Sequence, residues 1–130
     1  ELTDEWKARG IDKEKDYAIL TNEMIKAWSG LSVKDYKELK GLKKENLRDN
    51  MTNIELVLNM LAEVTTTAIS KSKEPETFSE NLQVVKEGGS VAKNARVDIE
   101  ERIGKSVISP LNAEDKILLD VKDVKKIGEN

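Results

Sequence analysis

Histidine and cysteine are both missing from this 130-residue chain. Without them there is no Ser-His or Cys-His nucleophile pair, no imidazole or thiolate zinc site, no redox thiol and no disulfide. Aromatics are scarce as well, limited to Trp6, Tyr17, Trp28, Tyr36 and Phe78. Proline occurs only at Pro75 and Pro110, so few positions forbid a helix. No run of eighteen apolar residues is present, which leaves no membrane span to expect. Nor does a secretory apolar segment follow Glu1, and a cytoplasmic location is the expectation. Starting at Glu1 rather than methionine, the sequence reads as an excised fragment.

What is abundant is charge. Charged residues make up 36% of the chain and hydrophobic ones 38%, with 22 basic against 25 acidic side chains and a net of −3. The global field therefore favours neither nucleic acid nor an anionic surface. At this length one domain is expected, and it can bury roughly two-thirds of its unfolded surface without staples.

Helical periodicity dominates and alternation is nearly absent. Thr3 with Asp4 and Glu5 predicts a short first helix ended by Gly10. Asp12 is the expected cap of a second, carrying Tyr17, Leu20, Met24, Ala27 and Trp28 on one face and stopping at Ser29-Gly30. Ser32 and Asp35 open a short third helix containing Val33, Tyr36 and Leu39 and closed by Gly41. Another short helix is expected over 44–51, presenting Leu47 and Met51.

Thr52 and Glu55 repeat the capping-box spacing and begin the longest apolar stripe: Ile54, Val57, Leu58, Leu61, Val64 and Ala68. A helix so apolar over 53–72 is expected at the centre of a bundle. Thr77 and Glu80 start the next helix, with Leu82, Val85, Gly89, Ala92, Ala95, Ile99 and Ile103 at helical spacing up to Gly104. Gly88-Gly89 inside it costs roughly 2 kcal/mol against alanine. Either the helix breaks there, with Ser90 as a new cap, or it bends and packs closely, which the small residues Ala92 and Ala95 favour. Ser109 to Asn112 reads as a loop, and 113–130 as a C-terminal appendage whose Ile117 to Val121 suits a helix or an edge strand. The expected fold is all-α, an irregular bundle of five to six helices in a single domain spanning 1–130.

Few motifs carry chemistry. Ser70-Lys71-Ser72-Lys73 satisfies S-x-x-K without its S-D-N and K-T-G partners, at an expected frayed helix end. Gly88-Gly89 lacks the frame of a phosphate loop. The carboxylate pairs Glu100-Glu101, Glu114-Asp115 and Asp120-Asp123 have basic neighbours and read as solvated helix faces. No catalytic residue, metal ligand or cofactor is assigned, and a non-enzymatic domain is expected.

The stretch from Leu20 to Leu42 has a helix-turn-helix outline. Between Lys34 and Arg48 six basic residues (Lys34, Lys37, Lys40, Lys43, Lys44 and Arg48) face three acidic ones, Asp35, Glu38 and Glu45. That local excess suits phosphates. The second helix, however, offers no Arg, Asn or Gln to read bases. Trp28 is more at home as a core plug, since it completes the Tyr17, Leu20, Met24 stripe. The candidate contact residues, for a protein partner or for nucleic acid, are therefore Tyr36 and the six basic side chains.

Asp16-Tyr17-Ala18-Ile19-Leu20-Thr21-Asn22, Trp28-Ser29-Gly30-Leu31-Ser32 and the run Lys40 to Met51 carry a resemblance, extended by Thr52 to Leu56, Gly88-Gly89 and Ala95-Arg96. They resemble the C-terminal half of bacterial DNA-damage-inducible protein D and its BRO-family phage-antirepressor relatives, over roughly 17–112. The resemblance implies a helical region that follows an N-terminal BRO-type domain, absent here and credited with DNA binding, in a protein induced by the SOS response. It implies a protein partner or self-association for this part, and DNA contact mainly through the missing domain. The alternative is a nucleic-acid-binding domain acting through the basic hairpin at 34–48.

Overall fold

A computed structural model describes residues 2–115. Five α-helices and one 3-10 turn account for nearly all of its regular structure, and no strand occurs among the described residues. The helices are α1 (Leu2–Ala8), α2 (Glu14–Ser29), α3 (Val33–Leu39), α4 (Asn53–Lys73) and α5 (Phe78–Ile103), with the 3-10 turn Arg48–Asn50 between α3 and α4. The fold is an all-α bundle. Its longest helix, α5, packs along both α4 and α2, while α1 and α2 also touch α4.

Helix starts lie where local chemistry places them. Ser32 Oγ accepts from Asp35 N at 3.1 Å, and Thr77 Oγ1 from Glu80 N at 3.0 Å. Thr52 and Glu55 form the full reciprocal box, in which Thr52 N also donates to Glu55 Oε1 at 2.9 Å. Gly30 ends α2 at φ 83, a left-handed conformation that the missing Cβ permits.

Asp12 is not the cap of α2. The N-cap is Lys13, which makes no side-chain capping bond, because an ammonium group has no lone pair to accept a first-turn N–H; Asp16 N and Tyr17 N instead reach the Lys13 carbonyl. The expected helix at 44–51 shrinks to the 3-10 turn. Asn46 competes for the backbone there, accepting from Asp49 N at 3.1 Å while its carbonyl takes Asn50 Nδ2 at 2.7 Å. Leu47 and Met51 are nonetheless buried.

α5 runs unbroken through Gly88 and Gly89, so Ser90 caps nothing. The pair serves two neighbours at once. A Cβ on Gly88 would stand 1.9 Å from Thr66 Oγ1 of α4, and one on Gly89 would stand 2.5 Å from Ala27 Cβ of α2. The propensity cost of two glycines is offset by backbone contact on both sides of α5.

The orientation of α4 reverses the expectation for its stripe. The helix lies where the 53–72 periodicity places it, but its buried residues are Glu55, Leu58, Asn59, Ala62, Thr66 and Ser70. Ile54, Val57, Met60 and Val64 are exposed, Val57 at 63% and Val64 at 66%. Of the expected apolar stripe only Leu58 is fully inside.

After Gly104 the chain turns back. Glu100 holds this return, accepting from Val107 N at 2.9 Å while pairing with Arg96 at 2.8 Å. Residues 109–112 form the expected loop, and 113–115 begin a helical turn docked on Asn50 through Ala113 N at 3.0 Å. The helix-or-strand question at Ile117 to Val121 lies outside the described residues.

Candidate functional site

Two groups of residues compete as functional candidates: the basic segment after α2, and the outward face of α4. The first is not a uniform surface. Tyr36 is fully buried and Lys40 retains 2% exposure, so neither is part of an outer contact surface. This corrects the expectation for both residues. The α3 helix is only two turns long, and inward rotation of one face carries Tyr36 and Lys40, four residues apart, to the same partner.

That partner is Glu55. Lys40 Nζ donates to Glu55 Oε1 at 2.7 Å and to the carbonyls of Ser109 and Leu111 at 2.8 and 2.6 Å. The Tyr36 hydroxyl donates to Glu55 Oε2, which also receives Ser109 N at 3.4 Å. Burial pushes the Tyr36 phenol far above its usual range, and the Glu55 carboxylate reinforces that shift. The cluster therefore ties α3, α4 and the returning C-terminal loop to one buried carboxylate. Trp28 extends it: its ring meets Tyr36 edge-on at 6.2 Å, and its indole N–H donates to Asn59 Oδ1 at 3.2 Å. The core reading of Trp28 holds, at 0% exposure.

Of the remaining basic residues, Lys34, Lys43, Lys44 and Arg48 are exposed and Lys37 is half-buried. Arg48 is paired with Glu63 of α4. Acidic groups interleave with the rest. Glu45 accepts from Lys43 N at 2.6 Å, and that backbone bond holds its carboxyl below the ordinary range. Asp35 and Glu38 share the exposed side of α3 with Lys34. The hairpin thus exists, but its second helix presents mixed charge.

The S-x-x-K serine is not at a frayed end. Ser70 is fully buried and donates to Glu5 Oε2 at 2.9 Å, while Lys73 pairs with Glu87. Burial alone would raise the Glu5 carboxyl, but Arg9 and Ser70 outweigh it and lower it on balance. Among the described residues no group of three or more acidic side chains is arranged to hold a metal ion. No helix among them is long and apolar enough to cross a membrane.

The second candidate is apolar. Val57, Met60 and Val64 stand on the side of α4 opposite Glu55, Ala62 and Thr66, with Ile54 and Ala68 on the flank. Met60, Val64 and Ala68 from this side, with Leu2, Arg48, Glu63, Thr67 and Lys71, line an open groove of about 740 Å³, which Val57 and Ile54 do not reach. Periodicity had located Ile54, Val57, Val64 and Ala68 and assigned them to the centre of the bundle. The available clue was on the opposite side, where Glu55, Asn59, Thr66 and Ser70 also recur at helical spacing.

The family described as the DinD C-terminal domain matches residues 1–121, nearly the whole chain. The chain belongs to the DinD C-terminal domain family. It is thus the C-terminal domain of a DNA-damage-inducible protein D, and the match includes both α4 faces and the buried cluster. No curated protein and no solved structure matches this DinD domain.

Proposed function

We propose that this DinD C-terminal domain is a non-enzymatic interaction module that binds protein, including a further copy of itself, through the outward face of α4. One observation carries the reading. Val57 and Val64 are each more than three-fifths exposed on a helix whose opposite side buries Glu55, Asn59, Thr66 and Ser70 beside Leu58 and Ala62. A contiguous apolar stripe flanked by Arg48, Glu63 and Lys71 has the composition of a protein-binding patch. The ionisable groups inside the domain are engaged in holding its elements together, since Glu55 is taken up by Lys40, Tyr36 and Thr52. Such a module acts in the cytoplasm, and DNA contact falls to a BRO-type domain elsewhere in the protein.

Light scattering over a concentration series tests this. The wild-type chain should gain mass as concentration rises, and Val57→Asp/Val64→Asp should stay monomeric. A wild-type chain that remains monomeric at the highest concentration removes the self-association reading.

A second reading, nucleic-acid contact, is supported by the exposed Lys34, Lys43 and Lys44. Retardation of DNA at low salt that disappears on reversing those three charges would favour it. Absence of retardation at low salt would end it.

A further inference from the structure

A second cavity, of about 320 Å³, lies where α1, α2, α3 and α4 converge. Trp6 of α1, Met24 and Ile25 of α2, and Leu47 supply its apolar wall, and all four are buried. Asn59 of α4 and Lys37 of α3 line it as well. Neither Val57 nor Val64 reaches it, so this cavity stands apart from the interaction reading of α4.

Its wall carries buried donors without acceptors. An indole N–H can only donate, so the bond from Trp28 fixes Asn59 Oδ1 toward that ring and turns the amide nitrogen elsewhere. Asn59 Nδ2 makes no hydrogen bond among the described residues, although Asn59 is only 4% exposed. The Trp6 indole N–H is likewise unpaired, in a residue 2% exposed. Neither nitrogen is sealed in, since the closed-off side-chain atoms that lack a partner are Thr66 Oγ1 and Asn81 Oδ1. Both residues line this cavity, and there such donors have room for an acceptor.

Charge points the same way. Lys37, Arg48 and Glu63 are the ionisable groups on the cavity wall. Arg48 and Glu63 pair with each other, which leaves the half-buried Lys37 ammonium without an ionic partner among the described residues. Donors, one net positive charge and an apolar wall suit a ligand with a single anionic acceptor group on an apolar body. A dianion such as a phosphate monoester would bring a second charge that nothing on this wall neutralises. The volume is near the lower end of small-ligand pockets, about 300–1,000 Å³, so the body must be short. We propose that this cavity binds a small carboxylate with a short aryl or alkyl body. Lys37, Asn59 and Trp6 receive its oxygens, and Met24, Ile25 and Leu47 pack on its body.

Nitrogen NMR on the isotope-labelled full chain, titrated at neutral pH with 3-phenylpropionate, tests this directly. The neutral isostere 3-phenylpropanamide is titrated in parallel. The Trp6 indole and Asn59 side-chain amide signals should move and saturate. The amide of Gln83, the single glutamine and exposed on α5, should stay in place. The carboxylate should bind at least about tenfold more tightly than the isostere, as for one charge-assisted hydrogen bond. Lys37→Met should erase that preference, and Lys34→Met, exposed on the same helix, should keep it. Absence of saturable shifts through the millimolar range overturns the site. So does movement of Gln83 in step with Trp6 and Asn59, which marks a general additive effect. Equal affinity for carboxylate and isostere, or a preference that survives Lys37→Met, overturns the assignment of an anionic ligand.

Discussion

The two sides of α4 invert the usual distribution of polarity. Inward lie Glu55, Asn59, Thr66 and Ser70; outward lie Val57, Met60 and Val64. Each inward polar group except Thr66 has a partner from another element: Glu55 takes Lys40 and Tyr36, Asn59 takes Trp28, and Ser70 takes Glu5. A buried polar group is tolerated when its hydrogen bonds are made, and it then fixes which elements meet. An outward apolar group needs another surface. The inward side of α4 thus specifies this fold, and the outward side is available for a contact beyond it.

Removing one partner from the inward side should give the largest effect. Lys40→Met leaves Glu55 buried without its ammonium and the Ser109 and Leu111 carbonyls without their donor. Breaking a buried ion pair in this way should cost about 3–5 kcal/mol in urea unfolding. Lys40→Met/Glu55→Gln should recover part of that loss. If Lys40→Met costs under about 1 kcal/mol, an exposed-pair value, the inward side does not organise the fold.

Gly88→Ala should follow. Its Cβ would lie 2.9 Å from Thr66 Cα, so α4 and α5 must separate. Overpacking of about 1–3 kcal/mol exceeds the roughly 1 kcal/mol of helix propensity gained. The net should be a lower unfolding midpoint, whereas a raised midpoint would mean that the interface yields freely.

Acid should weaken one inward contact of α4, Glu5 with Ser70, and the Glu100 contacts that hold the return after α5. For Glu100 burial pushes the carboxyl upward, but the Val107 N–H and Arg96 outweigh it, and Glu5 behaves likewise with Arg9 and Ser70. Both folded values lie below the ordinary 4.5. Their stabilisation is therefore complete above that pH and lost as pH falls through the folded values. Glu5→Gln should flatten the acid limb of a stability-versus-pH curve, and an unchanged limb would disconnect α1 from this effect.

The smallest effect on folding should come from the outward side. Val57→Asp/Val64→Asp should alter monomer stability by no more than about 0.5 kcal/mol, as for surface substitutions generally. The same variant should abolish association. A large loss of monomer stability would show that the two sides are not separate.

Much of the fold was legible because its signals are local. Ser32, Thr52 and Thr77 cap three helices by bonds that reach only three residues along the chain. Gly30 and Gly104 stop two more segments through their own left-handed backbone. The candidate site was legible in part. Lys34, Lys43, Lys44 and Arg48 are exposed, whereas Tyr36 and Lys40 are inside. Spacing alone does not tell an exposed lysine from one whose acceptors lie fifteen and about seventy residues away. Where Asn46 competes for the backbone, even the local reading failed, and a helix became a 3-10 turn.

The absence of histidine and cysteine, read from composition alone, closes off the same nucleophiles and metal sites in any fold. Capping and periodicity likewise determined where α3, α4 and α5 start and that the architecture is all-α, since these rest on contacts within one turn. Only the tertiary structure decided which side of α4 is buried. That choice depends on Lys40, Trp28, Ser109 and Glu5 converging from distant parts of the chain, where their hydrogen bonds outweigh the burial that Val57 and Val64 would gain.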